Sequence, residues 1–326
     1  MIFPRGGVAG SHVAALDAFI AGGYAPLVVS NLPLSAEDQS TLLERSALLI
    51  LRPNFGYDFG GYRDAILALG RARVAELERL VLANDSSWFP LPGASDWLDA
   101  AEDLGVDFAA ATWHGAVRPR DPETFESIEW KIDKNRRNFH YGSYALSIGG
   151  SILSNPGFWQ FWKRFRLTND KNRTVRRGEI GLTRWVMKHG FSHGATAELE
   201  SLADDLSRLD DAALDRVFRR TLVIADPDTR RRWQVSLCPD GATPVTRLQK
   251  EKAILALTAR EGAVYALADH LVRDRGFAFL KKSPLAHDSR TARILLDTVS
   301  TLDGRFAKTI SSEAKALCAD HQLPLV

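Results

Sequence analysis

Carboxylates stand at the ends of apolar runs in this sequence. In "LVLANDSSWFP", residues 80–90, an apolar run passes straight into Asn84, Asp85, Ser86 and Ser87. In "RPNFGYDFGGYRDAI", residues 52–66, the run "ALLIL" gives way to Asn54, Asp58 and Asp64 among three glycines, Gly56, Gly60 and Gly61. Ligands of open α/β sheets gather at the carboxyl ends of strands. A carboxylate there can hold Mg²⁺ or Mn²⁺ and neutralise a leaving diphosphate. Glycines beside it let the backbone approach a phosphate, and the first N–H groups of a following helix can face the anion.

Each stretch also has a plainer reading. Asn, Asp and Ser hydrogen-bond their own backbone and commonly follow strands as turns. The glycine-rich stretch reads equally as a turn with Asp58 capping a helix. It is not a G-x-G-x-x-G, and it lacks a P-loop lysine. Together the two say more than either alone. Asp85 follows Asp58 by 27 residues, room for one helix and one strand. Right-handed βαβ geometry then returns both loops to the same end of a sheet.

The elements needed to position them are legible as alternation. "APLVVSN", "ALLILRPN", "RLVLAND" and "VDFAAAT" read as buried strands. Between them "GSHVAALDAFIAGG" has helical spacing at Val13, Leu16 and Ile20. "SAEDQSTLLERS" opens on Ser35 as an N-cap, and "GYRDAILALGRARVAEL" and "ASDWLDAAEDLG" are helical. This pattern predicts a mainly parallel sheet flanked by helices. From about residue 139 it changes. "FHYGSYALSI" reads as a strand, "NPGFWQFWKRF" as a helix started by Pro156, and "VRRGEIGLTRWVMKHG" as one helix ending at Gly190. In the former helix Phe158, Trp159, Phe161 and Trp162 are expected to be core. After residue 195 the chain reads as nearly all helical. The expected division is 1–195, an α/β domain, and 196–326, a helical region.

Composition narrows the function classes. The chain has 326 residues, 45% hydrophobic and 25% charged, ordinary for a soluble globular protein. Its net charge of +2, from 42 basic and 40 acidic residues, gives no electrostatic case for nucleic acid as the main partner. Short basic clusters, including Arg173, Arg176, Arg177 and "TRRRW" at 229–233, read as solvated surface. Cys238 and Cys318 lie far apart with no ligand spacing, which fits a reducing cytoplasm. No apolar run reaches membrane-spanning length.

Four blocks in order carry a resemblance. "SNLPLSAEDQSTLLERSALLILRPNFGYDFGGYRDAI", "LVLANDSSWFPL", "FHYGSYALSIGGSILSNPGFWQFW" and "RRGEIGLTRWVMKHGF" resemble successive blocks of the rhamnan synthesis protein F family. The resemblance runs from near residue 24 to about 191 and recurs weakly at 276–285, where Lys281 and Lys282 lie. Members are bacterial glycosyltransferases of polysaccharide assembly. The resemblance implies a GT-A-like, Rossmann-related α/β fold that binds a nucleotide-sugar donor. The acceptor would be a glycan or a lipid-linked glycan, with cytoplasmic location and peripheral contact with the inner membrane. It implies that Asn54, Gly56, Asp58, Gly60 and Gly61 cradle the nucleotide, and that Asn84, Asp85 and Ser86 form the acidic motif, with Asp85 on Mg²⁺ or Mn²⁺. GT-A enzymes usually place a second carboxylate there, and this chain offers only Asp85 between Asn84 and Ser86.

Inverting glycosyl transfer needs a base that takes the acceptor hydroxyl proton. In the resemblance Glu179 holds that place; read from its residues alone, it serves equally as an acid stabilising a helix N-terminus. His140, beside Ser143 and Tyr144, could bond a sugar hydroxyl or phosphate, though a lone His beside aromatics is more often structural. The resemblance implies a reaction that moves a sugar, L-rhamnose from a dTDP-linked donor. Two rivals stand: a non-catalytic nucleotide-sugar-binding or scaffold subunit, and a nucleotidyltransferase using "PRGGVAG" at 4–10.

Overall fold

Strands form where the apolar runs end on turn residues: Leu27–Ser30, Leu48–Leu51, Arg79–Ala83, Phe108–Ala110 and Ala145–Gly149, with His193–Ala195 added. The computed structural model describes residues 1–237 and 245–321. The chain divides into two compact units. One comprises Met1–Pro90, Ser95–Ala111 and His140–Thr196; the other comprises Leu91–Ala94, Thr112–Phe139 and Ala197–Val326.

In the first unit the sheets are small and mixed, not mostly parallel. Leu27–Ser30 and Leu48–Leu51 pair in parallel, Val28 opposite Leu49. A separate four-stranded sheet runs Arg79–Ala83, Ala145–Gly149, Phe108–Ala110, His193–Ala195. Ala145–Gly149 is antiparallel to both neighbours, with Leu146 opposite Leu82 and Ala110. Only Phe108–Ala110 with His193–Ala195 is parallel there. The parallel expectation fails at Ala145–Gly149 because alternating patterns do not encode strand direction. That strand is buried along its whole length, as an interior strand flanked on both sides should be.

Two predicted faces are corrected. Helix Gly10–Ala21 buries Ser11, His12 and Ala14, while Ile20 remains 45% exposed. Strand Leu48–Leu51, expected to be buried, leaves Leu48 and Leu51 exposed, since it pairs with one neighbour only. Other local signals act as the sequence predicts. Ser35 Oγ accepts from Asp38 N at 3.0 Å, capping Ala36–Leu43. Pro156 starts helix Pro156–Arg164, and Asn155, a cap the sequence reading did not name, accepts from Gly157 N at 2.8 Å.

The predicted helix over 175–190 is two helices, Lys171–Arg177 and Glu179–Lys188, broken at Gly178. A Cβ on Gly178 would lie 2.6 Å from the Phe59 ring, so only glycine allows this approach. Phe59 itself stacks on Trp162 and Phe165, at 5.8 and 5.5 Å between ring centres. Of the four aromatics expected in the core, Trp159 and Phe161 are buried only in part, while Phe158 and Trp162 are fully buried. Burying each such ring stabilises the fold by about 1.5–3 kcal/mol.

The second unit is helical: Leu202–Arg208, Asp211–Arg220, Pro227–Leu237, Arg247–Glu261, Ala268–Arg275, Ser289–Ser300 and Ala307–Asp320 are its longer elements. The single cut expected at residue 195 differs from this division, because 112–139 packs with these helices. Phe125 lies against Trp233 at 5.8 Å, and Trp130 Nε1 donates to Leu199 O at 2.8 Å. The "TRRRW" run is not free surface. Arg230 pairs with Asp288 and Arg232 with Glu123, whose carboxyl falls to about 2 beside that guanidinium. Cys318 is a buried free thiol; Cys238 lies outside the described residues.

Candidate active site

Three sequence blocks meet at Ser143. Helix Tyr57–Leu69 begins after Gly56, which takes a left-handed φ of +85°, and sets Asp58 in its first turn. Strand Arg79–Ala83 ends at Asn84, and the break at Gly178 makes Glu179 the first residue of its helix. Acidic side chains at both helix starts are favoured by the helix dipole. The Ser143 hydroxyl lies 2.9 Å from Asp58 Oδ2 and 2.6 Å from Glu179 Oε1. Ser143 N also donates to Glu179 Oε1 at 3.2 Å, and Asn84 Nδ2 donates to Asp58 Oδ2 at 2.9 Å.

A hydroxyl has one hydrogen to give. It can therefore donate to Asp58 Oδ2 or to Glu179 Oε1, and it holds the two carboxylates at one point. What this arrangement can do is fix one oxygen of Glu179 while the other faces away from Ser143. Glu179 Oε2 points elsewhere, 3.7 Å from His140 Nε2. Beneath the cluster, Tyr62 donates its buried O–H to Ser143 O at 2.9 Å. Burial holds the Tyr62 phenol well above its ordinary range, and the charges of Asp58 and Glu179 act in the same direction.

Asp85 makes other contacts. Its Oδ2 accepts from Phe3 N at 2.6 Å and lies 3.2 Å from His12 Nε2. His12 Nδ1 accepts from Ala9 N at 3.0 Å, which fixes the tautomer that donates from Nε2. Asp85 thus ties the first residues and helix Gly10–Ala21 to the strand end. Ser86 is exposed, its hydroxyl donating to Asn84 Oδ1 at 2.5 Å.

The glycine-rich loop is held from within. Arg52 donates to Asp64 Oδ2, Asn31 Oδ1 and Phe55 O, each at 2.7 Å. A Cβ on Gly60 would lie 2.4 Å from Phe55 O, and one on Gly61 2.7 Å from Met1 Cγ. Both are buried packing positions. Gly56 N donates to Asn169 Oδ1, and the Tyr57 hydroxyl donates to Asn169 O. Asn54 is exposed in this loop, outside the Ser143 cluster.

Of the sequence-predicted residues, Asp58, Asn84, Glu179 and His140 are brought together. Ser86 joins at its edge through Asn84 Oδ1, whereas Asn54, Gly60 and Gly61 are not part of that hydrogen-bonded cluster. Sequence reading missed His12 and Tyr62. Tyr62 follows Asp58 by one helical turn, a signal that was available; nothing in the sequence ties His12 to Asp85.

Metal fit follows from the donor set. Among the described residues no three His, Cys, Asp or Glu side chains are grouped to hold an ion. Asp85 Oδ2 already serves two nitrogens. These residues do not fit a protein-built cage. One carboxylate suits only a Mg²⁺ or Mn²⁺ ion carried mainly by a ligand's own oxygens.

The sequence profile of rhamnan synthesis protein F matches residues 27–214. The chain belongs to the rhamnan synthesis protein F family. The match includes Asp58, Asn84, Asp85, Ser143 and Glu179, and extends past residue 191 into Asp211–Arg220. Phe3 and His12, the partners of Asp85, lie outside it, as do Lys281, which is buried, and Lys282. An uncharacterized protein y4gN of Sinorhizobium fredii is 30% identical over 191 residues, 59% of this chain and 45% of that protein. The chain therefore spans under half the length of this curated relative. The mannosyltransferase Ktr4p from S. cerevisiae, solved in complex with GDP, aligns over 56% of this chain and 62% of its own. At 8% identity and a TM-score of 0.28 that likeness carries no argument. Among the described residues of this rhamnan synthesis family member, no helix is long and apolar enough to cross a membrane.

Proposed function

We propose that this chain is a glycosyltransferase of bacterial polysaccharide assembly. It moves a sugar from a nucleotide-linked donor, L-rhamnose from a dTDP-linked one, to a glycan or lipid-linked acceptor, on a GT-A-like first unit at the cytoplasmic side. One observation carries the reading: Asp58, Ser143 and Glu179, from three separate blocks of the family match, converge in one hydrogen-bonded cluster.

In this reading Glu179 is the base. Oε1 is tied to Ser143, so Oε2 is the oxygen that takes the proton. As the acceptor oxygen bonds to the anomeric carbon, its proton passes to Glu179 and the bond to the diphosphate oxygen breaks. The nucleoside diphosphate leaves with that electron pair, and the anomeric centre inverts. Asp58 and Asn84 hold Ser143 and the strand end in register. The Gly56 loop and the helix start behind it face the nucleotide. When bound, a divalent ion would supply charge neutralisation for the diphosphate, with Asp85 as its protein ligand.

Glu179→Gln and Asp85→Asn are each expected to lower nucleoside diphosphate release at least a hundredfold while the far-ultraviolet spectrum is unchanged, on the scale of a lost general base. Wild-type rates in both would overturn the assignment. A second reading is a non-catalytic donor-binding subunit of an assembly complex, favoured by the engagement of Asp85 Oδ2 with Phe3 and His12. It predicts donor binding with no transfer to any acceptor.

A further inference from the structure

Charge is unevenly placed in the first unit. Residues 163–177, "KRFRLTNDKNRTVRR", hold seven basic side chains and one acidic, against a net +2 for the whole chain. All seven are exposed. Among the described residues only Arg173 of the seven pairs with a carboxylate, Asp170 at 3.4 Å. Ion-paired arginines abound elsewhere, as at Arg52, Arg216, Arg230 and Arg273, so this segment keeps its cations for something outside it.

Two exposed aromatics join it. Phe55 and Tyr57 are 43% and 40% exposed, unusual for rings in a chain that buries Trp88, Trp162 and Phe59 almost completely. They sit beside the basic segment because Asn169 grips their loop, accepting from Gly56 N at 2.9 Å and from the Tyr57 hydroxyl at 3.0 Å. Arg177 Nη1 donates to Arg166 O at 3.3 Å, which folds the two ends of the basic segment together. In helix Lys171–Arg177 the spacing of Arg173 and Arg177 puts them one above the other on a single face.

We infer that Phe55, Tyr57, Arg166, Lys171, Arg173 and Arg177 form a surface that docks on an anionic lipid bilayer. Clustered Lys and Arg are drawn to acidic headgroups, and aromatic rings beside them settle at the headgroup level. A dissolved inorganic polyanion would satisfy the cations but gives no reason for two exposed rings among them, and the net charge of +2 gives no electrostatic case for nucleic acid. The inference deepens the transferase reading, on which the lipid-linked acceptor rests. Arg177 leads through Gly178 to Glu179, so docking would hold the proposed base close to headgroups that carry such an acceptor.

The test is sedimentation of the full chain with vesicles, without donor or acceptor. Binding is expected to vesicles of phosphatidylcholine and phosphatidylglycerol in equal parts and not to phosphatidylcholine alone. It should be strong at about 0.1 M salt and lost at about 1 M, where screening is nearly complete. The triple variant Arg166→Glu, Lys171→Glu, Arg173→Glu should bind at least tenfold more weakly. Phe55→Ser should lose several-fold with the salt dependence unchanged. Absence of binding to anionic vesicles by folded wild type, or equal binding by the charge-reversed variant, would overturn the proposal. So would displacement from vesicles by equimolar single-stranded DNA, which would mark a polyanion groove, or sedimentation without vesicles, which would mark self-association. Donor titration of the charge-reversed triple variant, whose positions lie outside the proposed donor site, should match wild type, so failure here is distinguishable from failure of the transferase reading.

Discussion

The hydroxyl of Ser143, with one hydrogen and two carboxylate neighbours, is the point on which the residue-scale account turns. Removing it should leave the donor site formed and Oε1 of Glu179 held by the Ser143 backbone N–H alone. Ser143→Ala is expected to lower kcat about tenfold or more with KM changed less than threefold, since misplaced bases lose transition-state rather than ground-state contacts. Steady-state kinetics checks this; a pure KM effect would make Ser143 a binding residue. Tyr62 gives a pH signature. Its phenol is held protonated in the fold beyond the range of an unfolded chain, about pH 10. Above that pH the unfolded chain loses the proton and the folded one keeps it, so stability is present below pH 10 and falls as pH rises. Tyr24, raised by burial and its bond to Glu102, adds to the same fall. Tyr62→Phe should cost about 1 kcal/mol at pH 8 from the lost bond to Ser143 O, yet lose less than wild type between about pH 9 and 11. Urea unfolding at the three pH values decides it. The sequence made Asp58, Asn84, Asp85 and Glu179 legible because each stands at the end of an apolar run or beside a glycine. It could not show that Asp58 faces Ser143 while Asp85 faces His12 and Phe3, since those contacts depend on long-range closure.

Element boundaries set by local chemistry were legible. Ser35 caps its helix, Pro156 starts another, and Gly105 closes a third. What depended on packing was not. The apolar spacing of Val13, Leu16 and Ile20 pointed to a face that the fold leaves partly open, because His12 is drawn in toward Asp85. The break at Gly178 was hidden within a continuous helical pattern, since its cause is the ring of Phe59 from another helix. That break places Glu179, so it can be tested directly. Gly178→Ala should destabilise by about 1–3 kcal/mol through overpacking against Phe59 and lower turnover with it. Ser35→Ala, about 1 kcal/mol from a lost cap, should leave turnover unchanged. Equal effects of the two on activity would remove Gly178 from the account.

At the scale of the whole molecule, a cut near residue 195 was legible as a change from alternating to helical pattern. The transfer of 112–139 to the second unit was not, because it rests on single contacts such as Phe125 on Trp233. The second unit also buries a carboxylate no pattern flagged. Asp269 Oδ1 accepts from Arg273 Nε and Thr298 Oγ1, each at 2.7 Å, and Arg220 Nε lies 2.7 Å from Oδ2 without hydrogen-bond geometry. Asp269→Ala leaves Arg220 and Arg273 with Asp297 as their carboxylate partner and should cost about 1.5–3 kcal/mol in thermal or urea unfolding, on the scale of a lost charged hydrogen bond.

Isothermal titration of the purified chain with dTDP-rhamnose, with and without Mn²⁺, tests the central claim most directly. The account predicts saturable binding by wild type, binding retained in Glu179→Gln, and at least tenfold weaker binding in Asp85→Ala and Asp58→Ala. Absence of binding to any nucleotide sugar by a folded chain, or equal affinity in all four proteins, would contradict it and return "NDSS" to an ordinary turn after a strand.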